Sequence, residues 1–122
     1  MHELSIALKI VETLEEELAD QDDLTVSVVA IQVGALTGLV PEALQFVWEP
    51  ATQNTRLHGA QLRIERRDAV GFCPACQADR VITDLPSIRC PVCRTPIRQI
   101  VGGHELEILT VEVLTEVSED ES

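Results

Sequence analysis

The sequence predicts an α+β fold in which two helices pack on a three-stranded sheet, with a four-cysteine module inserted between the second and third strands. Three observations predict it. Two amphipathic stretches have helical periodicity, and they alternate with β-branched or strictly alternating stretches that are typical of strands. All four cysteines fall within one late segment. The 122 residues are enough for one domain carrying a small module.

The first predicted element is an amphipathic helix that runs from Met1 to about Ala19. Its apolar residues recur at three- and four-residue intervals, which predicts a single buried face. The residues predicted to form that face are Leu4, Ala7, Leu8, Val11, Leu14 and Leu18.

A strand and a second helix are predicted next. Residues 24–33 form a β-branched run with apolar residues on both faces, which is typical of a central strand. Pro41 suits the first turn of a helix, because its missing N–H would have no intrahelical partner there. Pro50 predicts a kink or an early end of the same helix, since proline is unfavourable in a helix interior.

Two further strands complete the predicted sheet. Residues 61–67 alternate, with Leu62 and Ile64 directed inward. The last strand is predicted over 105–114, with a bulge near Ile108 where the apolar residues change parity.

The predicted domain organisation follows from this order. Residues 1–68 and 103–115 form the α+β domain, and residues 69–102 form the cysteine module. The acidic tail at 116–122 is expected to be disordered, because it has few apolar residues to bury.

The cysteines form two C-x-x-C pairs with thirteen residues between them: Cys73, Cys76, Cys90 and Cys93. Each pair directs two thiolates at one ion, and together they complete a closed tetrahedral shell. This predicts a zinc-ribbon-like module with a structural ion, because a closed shell leaves no position for water. Zinc is favoured, iron is the main alternative, and disulfides or thiol redox chemistry are weaker ones.

Charge is distributed unevenly along the chain. The net charge is −12, yet all eight arginines lie between Arg56 and Arg98, and Lys9 is the only other basic residue besides histidine. An acidic chain with 2% aromatic residues is poorly suited to nucleic acid. The arginines either offset a tetrathiolate charge or meet an acidic protein surface. No stretch resembles a membrane span or a signal peptide, so we expect a cytoplasmic protein.

The N-terminus offers a second set of metal donors. Met1 supplies an α-amino group one residue before the His2 imidazole, and the His2 backbone nitrogen lies between them. Such a nitrogen-rich donor set suits Ni(II) or Cu(II) better than zinc. From residue type alone, however, an N-terminal histidine is most often solvated or helix-capping. A fourth donor would come from Glu3, from a partner, or from elsewhere in the fold, where His104 is the candidate.

Several segments together resemble the HypA/HybF family of nickel metallochaperones. They are Met1-His2-Glu3 before an amphipathic helix, the segment GLVPEALQF at 38–46, the paired C-x-x-C motifs, Gly59-Ala60 before a strand and Glu105-Leu106 at the last strand. The resemblance implies that His2 binds Ni²⁺ as transient cargo, with Glu3 supporting that site. It also implies that the four cysteines hold structural Zn²⁺.

The resemblance further implies a role in [NiFe]-hydrogenase maturation and no enzyme activity. The implied partners are the nickel-handling GTPase HypB, the hydrogenase large-subunit precursor and, for some family members, urease maturation. Family members occur as monomers and homodimers, so a homodimer is one expected state. The alternative function is a zinc-ribbon adaptor that binds nucleic acid or a protein partner through its arginines.

Overall fold

The computed structural model describes residues 2–85 and 87–115. The helices and strands are α1 (Glu3–Glu17), β1 (Leu24–Gly34), α2 (Pro41–Thr52), β2 (Gln61–Arg67), β3 (Val70–Cys73), β4 (Ala78–Val81), β5 (Gln99–Gly102) and β6 (Leu106–Thr115). This confirms the predicted fold class: two helices, a three-stranded sheet, and a cysteine module between its second and third strands. None of the described helices is long and apolar enough to cross a membrane.

The strands form two sheets of three. In the first sheet β1 lies between β2 and β6, so the run predicted as a central strand is central. The second sheet, with the order β4-β3-β5, belongs to the cysteine module and was not predicted. In it β3 pairs antiparallel with both neighbours, with a register shift between Val70 and Gly71 on the β5 side.

The buried face of α1 differs from the prediction. Leu4 and Leu8 are 45% and 48% exposed, whereas Ile10, which was not assigned to the core, is buried. The buried stripe consists of Ala7, Ile10, Val11 and Leu14. Both stripes satisfy the helical spacing. The helix packs along the stripe that contains Ile10. Ala7 belongs to both stripes, and its small, fully buried side chain permits close approach of a neighbouring element.

Trp48 fixes α2 in its unit. Its side chain is buried, and its indole N–H donates to the Ala60 carbonyl at 2.9 Å. The Gln45 amide donates to the Leu62 carbonyl at 2.7 Å. These bonds tie the helix to the start of β2.

A kink or an early end of α2 was predicted at Pro50, and the helix does not end there but continues to Thr52. Pro50 lies in the last turn, so its missing N–H removes a single helical hydrogen bond. Ala51 and Thr52 are buried beyond it, and the Thr52 hydroxyl donates to the Glu49 carbonyl at 3.0 Å. Burial and this bond keep the final residues helical.

The chain divides into two compact units. The first contains both helices and consists of Met1–Ile31, Leu39–Ile64 and Ile108–Ser122. The second contains the four cysteines and consists of Gln32–Gly38 and Glu65–Glu107. The predicted acidic tail at 116–122 lies outside the described residues.

A close backbone approach organises one part of the second unit. The Gly34 amide donates to the Glu105 carbonyl at 2.8 Å, and the Leu36 amide donates to the Gly103 carbonyl at 2.7 Å. A Cβ atom at Gly34 would collide with the Gly103 carbonyl. Gly103 itself is buried and has a φ of +124°, so glycine is required on both sides of the contact.

Candidate metal centres

The first cysteine pair lies at the turn between β3 and β4. Cys73 ends β3, and the Gln77 amide donates to the Cys73 carbonyl at 2.8 Å. Gln77 has a φ of +57°, which turns the chain back toward β4. The Cys76 amide points at the Cys73 sulfur over 3.4 Å. The turn therefore brings both sulfurs of the pair to one side.

The second pair repeats this arrangement. The Arg94 amide donates to the Cys90 carbonyl at 2.9 Å, and Arg94 has a φ of +67°. The Val92 amide points at the Cys90 sulfur over 3.4 Å. In both pairs the residue four positions after the first cysteine adopts the left-handed conformation, although neither Gln77 nor Arg94 is glycine.

The two turns bring all four sulfurs together. Cys73 Sγ lies 3.5 Å from Cys93 Sγ, and Cys76 Sγ lies 3.6 Å from Cys93 Sγ and 3.9 Å from Cys90 Sγ. All four sulfurs lie within 4.8 Å of one another. Zn–S bonds of about 2.3 Å in a regular tetrahedron place neighbouring sulfurs about 3.8 Å apart. The donor set therefore fits a single tetrahedral ion.

The cluster is closed on one side and open on the other. Cys73 and Cys90 are fully buried, and they pack with Ala69, Ile82 and Ile97. Cys76 is half-buried and Cys93 is exposed. A metal entering this site would therefore meet Cys93 first and become enclosed by the two buried sulfurs.

The pKa values of the thiols also differ between the exposed Cys93 and the buried Cys73. Hydrogen bonds from the hydroxyl and backbone of Thr95 lower the pKa of Cys93 to about 6. The bond from the Cys76 amide lowers the pKa of Cys73, but burial and the neighbouring thiols outweigh it and raise that pKa to about 11. The exposed cysteine is thus the readier thiolate, and Cys73 would lose its proton on metal binding.

The N-terminal candidate site begins one residue before α1. His2 is the N-cap residue of that helix, with φ −86° and ψ 129°, and its carbonyl accepts the Ile6 amide at 3.2 Å. Its side chain makes no capping hydrogen bond and is exposed. The imidazole therefore does not serve as a helix cap.

Glu3 has a definite structural partner. Its Oε2 accepts the backbone N–H of Val40 at 3.0 Å, and this bond lowers the pKa of the Glu3 carboxyl. Val40 is the N-cap residue of α2, so the bond joins the beginnings of the two helices. His104 is exposed and belongs to the second unit, whereas Met1 lies outside the described residues.

Thr95 and Arg80 lie in the cysteine module and were not among the residues predicted for its metal site. Thr95 Oγ1 lies 3.1 Å from Cys93 Sγ. The pKa of the Arg80 guanidinium is raised by hydrogen bonding to Cys76 and then to Cys90, which outweighs the opposing effect of burial. Arg80 was recognisable only with the hairpin register, which pairs Arg80 with Gly71 and Ala78 with Cys73. No sequence signal indicated Thr95.

Comparisons with known proteins agree with this arrangement. Residues 1–113 match the family described as "Hydrogenase/urease nickel incorporation, metallochaperone, hypA". "Hydrogenase maturation factor HypA" of Chloroflexus aurantiacus is 43% identical over 112 residues, which cover 92% of this chain and 98% of the relative. The protein of the same name from a Roseiflexus species is 40% identical, with 92% of this chain and 91% of the relative covered.

The fold is also similar to that of a solved structure, "Solution structure of the Ni metallochaperone HypA from Helicobacter pylori". The TM-score is 0.63 with 20% identity, and the match covers 95% of this chain and 100% of that one. At this identity the likeness concerns the fold alone.

The family match spans nearly the whole chain, and the curated relatives are covered almost completely. The chain therefore belongs to the HypA family of hydrogenase and urease nickel-incorporation metallochaperones.

Proposed function

We propose that this chain carries Ni(II) for the maturation of [NiFe]-hydrogenase, binding nickel through His2 and structural zinc through its four cysteines. Membership of the HypA family over residues 1–113 is the observation that carries this proposal. The exposed, uncapped imidazole of His2 and the converging sulfurs support the two metal assignments.

The proposed zinc and nickel sites need opposite exchange properties. Zinc in a full thiolate shell exchanges slowly and holds its module in shape. Fully buried Cys73 and Cys90 support that role. A cargo ion must instead be given up, so its ligands need to be few and open to competing donors. An exposed histidine at the start of a helix meets this requirement.

The proposed nickel donors are the α-amine, the His2 backbone nitrogen and the His2 imidazole. The His2 amide precedes α1, and the first amides of a helix have no intrahelical partner, so binding metal there breaks no helical bond. Glu3 supports the site by fixing the chain through Val40. The remaining donor comes from Glu3, from His104 or from the recipient protein.

The proposal extends to partners and organisation. Nickel is received and passed on with the GTPase HypB and the hydrogenase large-subunit precursor, and urease maturation is a second destination. We assign nickel handling to residues 1–68 and 103–115 and zinc binding to residues 69–102. The protein acts in the cytoplasm as a carrier and not as an enzyme, and a homodimer is compatible with this role.

The test is the substitution His2→Ala, followed by nickel titration calorimetry and zinc analysis. We expect nickel binding to be lost while zinc content and the circular dichroism spectrum remain unchanged. His58→Ala is the matched control, because His58 is another exposed histidine of the first unit. A chain extended by two residues before Met1 should also lose nickel affinity, since the α-amine is displaced. Unchanged nickel affinity in His2→Ala would reject the assignment.

A further inference from the structure

Arg80 occupies an unusual position for a cation in the cysteine module. It lies on β4 opposite Gly71, and two positions along the register Ala78 lies opposite Cys73. Opposed residues of an antiparallel pair share a face of the sheet, as do residues two apart on one strand. Arg80 is therefore on the same face as the buried sulfur of Cys73.

The Arg80 side chain is only partly satisfied by protein groups. Its Nε is buried and has no hydrogen-bond partner within the described part of the chain. The neighbouring Asp79 pairs with Phe72 and so points to the opposite face of the sheet. The sulfur cluster, whose four atoms lie within 4.8 Å of one another, begins at Cys73 on this same face of the sheet. Hydrogen bonding to Cys76 and then to Cys90 raises the pKa of Arg80, in agreement with this position.

The other arginines of the module are placed differently. Arg89, Arg94 and Arg98 are all exposed, and Arg89 donates to the carbonyl of Arg94 at 3.1 Å. Because these side chains are exposed, salt and solvent screen their charges, which weakens their effect on the cluster. Arg80, half-buried on the cysteine face, acts across a region of lower polarity.

Metal binding gives the four-cysteine cluster a negative charge, which a cation at the position of Arg80 would stabilise. Four thiolates around a divalent ion leave a net charge of about −2, part of it on buried sulfur. A guanidinium carries five N–H donors in a planar fork and accepts no hydrogen bond, so it can contact two sulfurs at once. Outer partners of this kind hold metal ligands in position and change metal affinity.

We propose that Arg80 is the positioning cation of the four-cysteine site, donating N–H···S hydrogen bonds to Cys76 and Cys90 in the metal-loaded state and thereby slowing loss of the metal. The proposal rests on the proposed function to the extent that the cysteines hold a metal. Arg80 binds no metal itself and acts through the two sulfurs.

The experiment uses the full chain loaded with zinc and challenged with an excess of the chromogenic chelator 4-(2-pyridylazo)resorcinol. For Arg80→Gln we expect about 10–100-fold weaker zinc retention, the usual effect of removing an outer-shell partner. Arg98→Gln is the matched control, because it removes an exposed charge from the same module, and its retention should equal that of the unaltered chain. Arg80→Lys keeps the charge but not the fork, so its retention should fall between the two.

A second readout separates a direct contact with sulfur from a general loss of stability. In the cobalt-substituted protein, the sulfur-to-cobalt charge-transfer bands should shift in Arg80→Gln and stay in place in Arg98→Gln. The ligand-field bands of tetrahedral cobalt should persist in both. A variant that is merely less stable would lose all these bands together without a shift.

The outcomes distinguish this inference from the proposed function. If the unaltered chain binds cobalt without tetrahedral thiolate bands, the four-cysteine metal assignment itself fails. If the bands form but Arg80→Gln retains zinc as well as Arg98→Gln does, Arg80 has no positioning role. Equal losses in both variants would overturn the inference in favour of net charge. Arg80→Lys behaving like the unaltered chain would refute the two-sulfur contact, even where Arg80→Gln does not fold.

Discussion

Replacing Arg56 with glutamine tests what holds the end of α1. The Arg56 guanidinium donates from Nη1 to the carbonyls of Leu18 and Gln21, both at 2.7 Å. Its Nε donates to Glu15 Oε1 at 3.0 Å, and the Arg56 backbone amide donates to Glu15 Oε2 at 2.8 Å. One side chain thus satisfies carbonyls at and beyond the helix C-terminus, where a cation is also favoured by the helix dipole.

The expected loss of stability can be bounded from these contacts. Hydrogen bonds to charged groups contribute about 1.5–3 kcal/mol each, and an exposed ion pair adds up to about 1 kcal/mol. The Arg56 and Glu15 side chains are 19% and 32% exposed, and glutamine retains some hydrogen bonding. We therefore expect Arg56→Gln to lower the free energy of unfolding by about 2–4 kcal/mol, a large share of the roughly 5–15 kcal/mol of a typical domain.

The assay is urea denaturation of the zinc-loaded chain followed by tryptophan fluorescence. Trp48 is the single tryptophan and is buried in the unit that contains Arg56, so its emission reports on this part of the protein. Arg63→Gln serves as the control, because Arg63 is an exposed arginine on β2. A midpoint for Arg56→Gln equal to that of Arg63→Gln would refute the reasoning, since the helix-end hydrogen bonds would then contribute nothing.

Two further predictions concern the metal module and the Glu3 contact. Cys73→Ser places a hydroxyl at a fully buried position of the proposed zinc site. We expect loss of zinc and unfolding of the module while Trp48 emission stays native. Full zinc content by mass spectrometry would contradict the ligand assignment. Glu3 has a pKa lowered from 4.5 by the Val40 amide, so its stabilisation is present above the unfolded pKa and is lost as the pH falls through the folded pKa. Glu3→Gln should reduce the decline of thermal stability between neutral and acidic pH, and an unchanged pH profile would show that this bond contributes nothing.

The element order was predictable because each long element carries its own periodic signal. The apolar run that becomes β1 predicted a central strand, and the alternation at Leu62 and Ile64 predicted β2. Which face of α1 is buried was not predictable from periodicity alone. Leu4 and Leu8 satisfy the helical spacing as well as Ile10 does, so only the packing partner selects which stripe is buried.

The small sheet of the cysteine module was missed for a different reason. Its strands have four residues each, too few to show a period. The ligand spacing predicted that four sulfurs converge, yet the turns that achieve this use Gln77 and Arg94 in a conformation that usually signals glycine. Which of the eight arginines shares a sheet face with Cys73 was not predictable for a related reason, because that placement depends on strand register.

The bond between Glu3 and Val40 would have an electrostatic consequence for nickel bound at His2, the site proposed above. It brings the positive ends of two helix dipoles to the same place, since both α1 and α2 begin there. Each dipole disfavours a nearby cation by about 0.3–1 kcal/mol at the surface, with one carboxylate to oppose them. Nickel bound next to this junction would be held against a repulsive field, which favours its transfer to a recipient rich in negative charge.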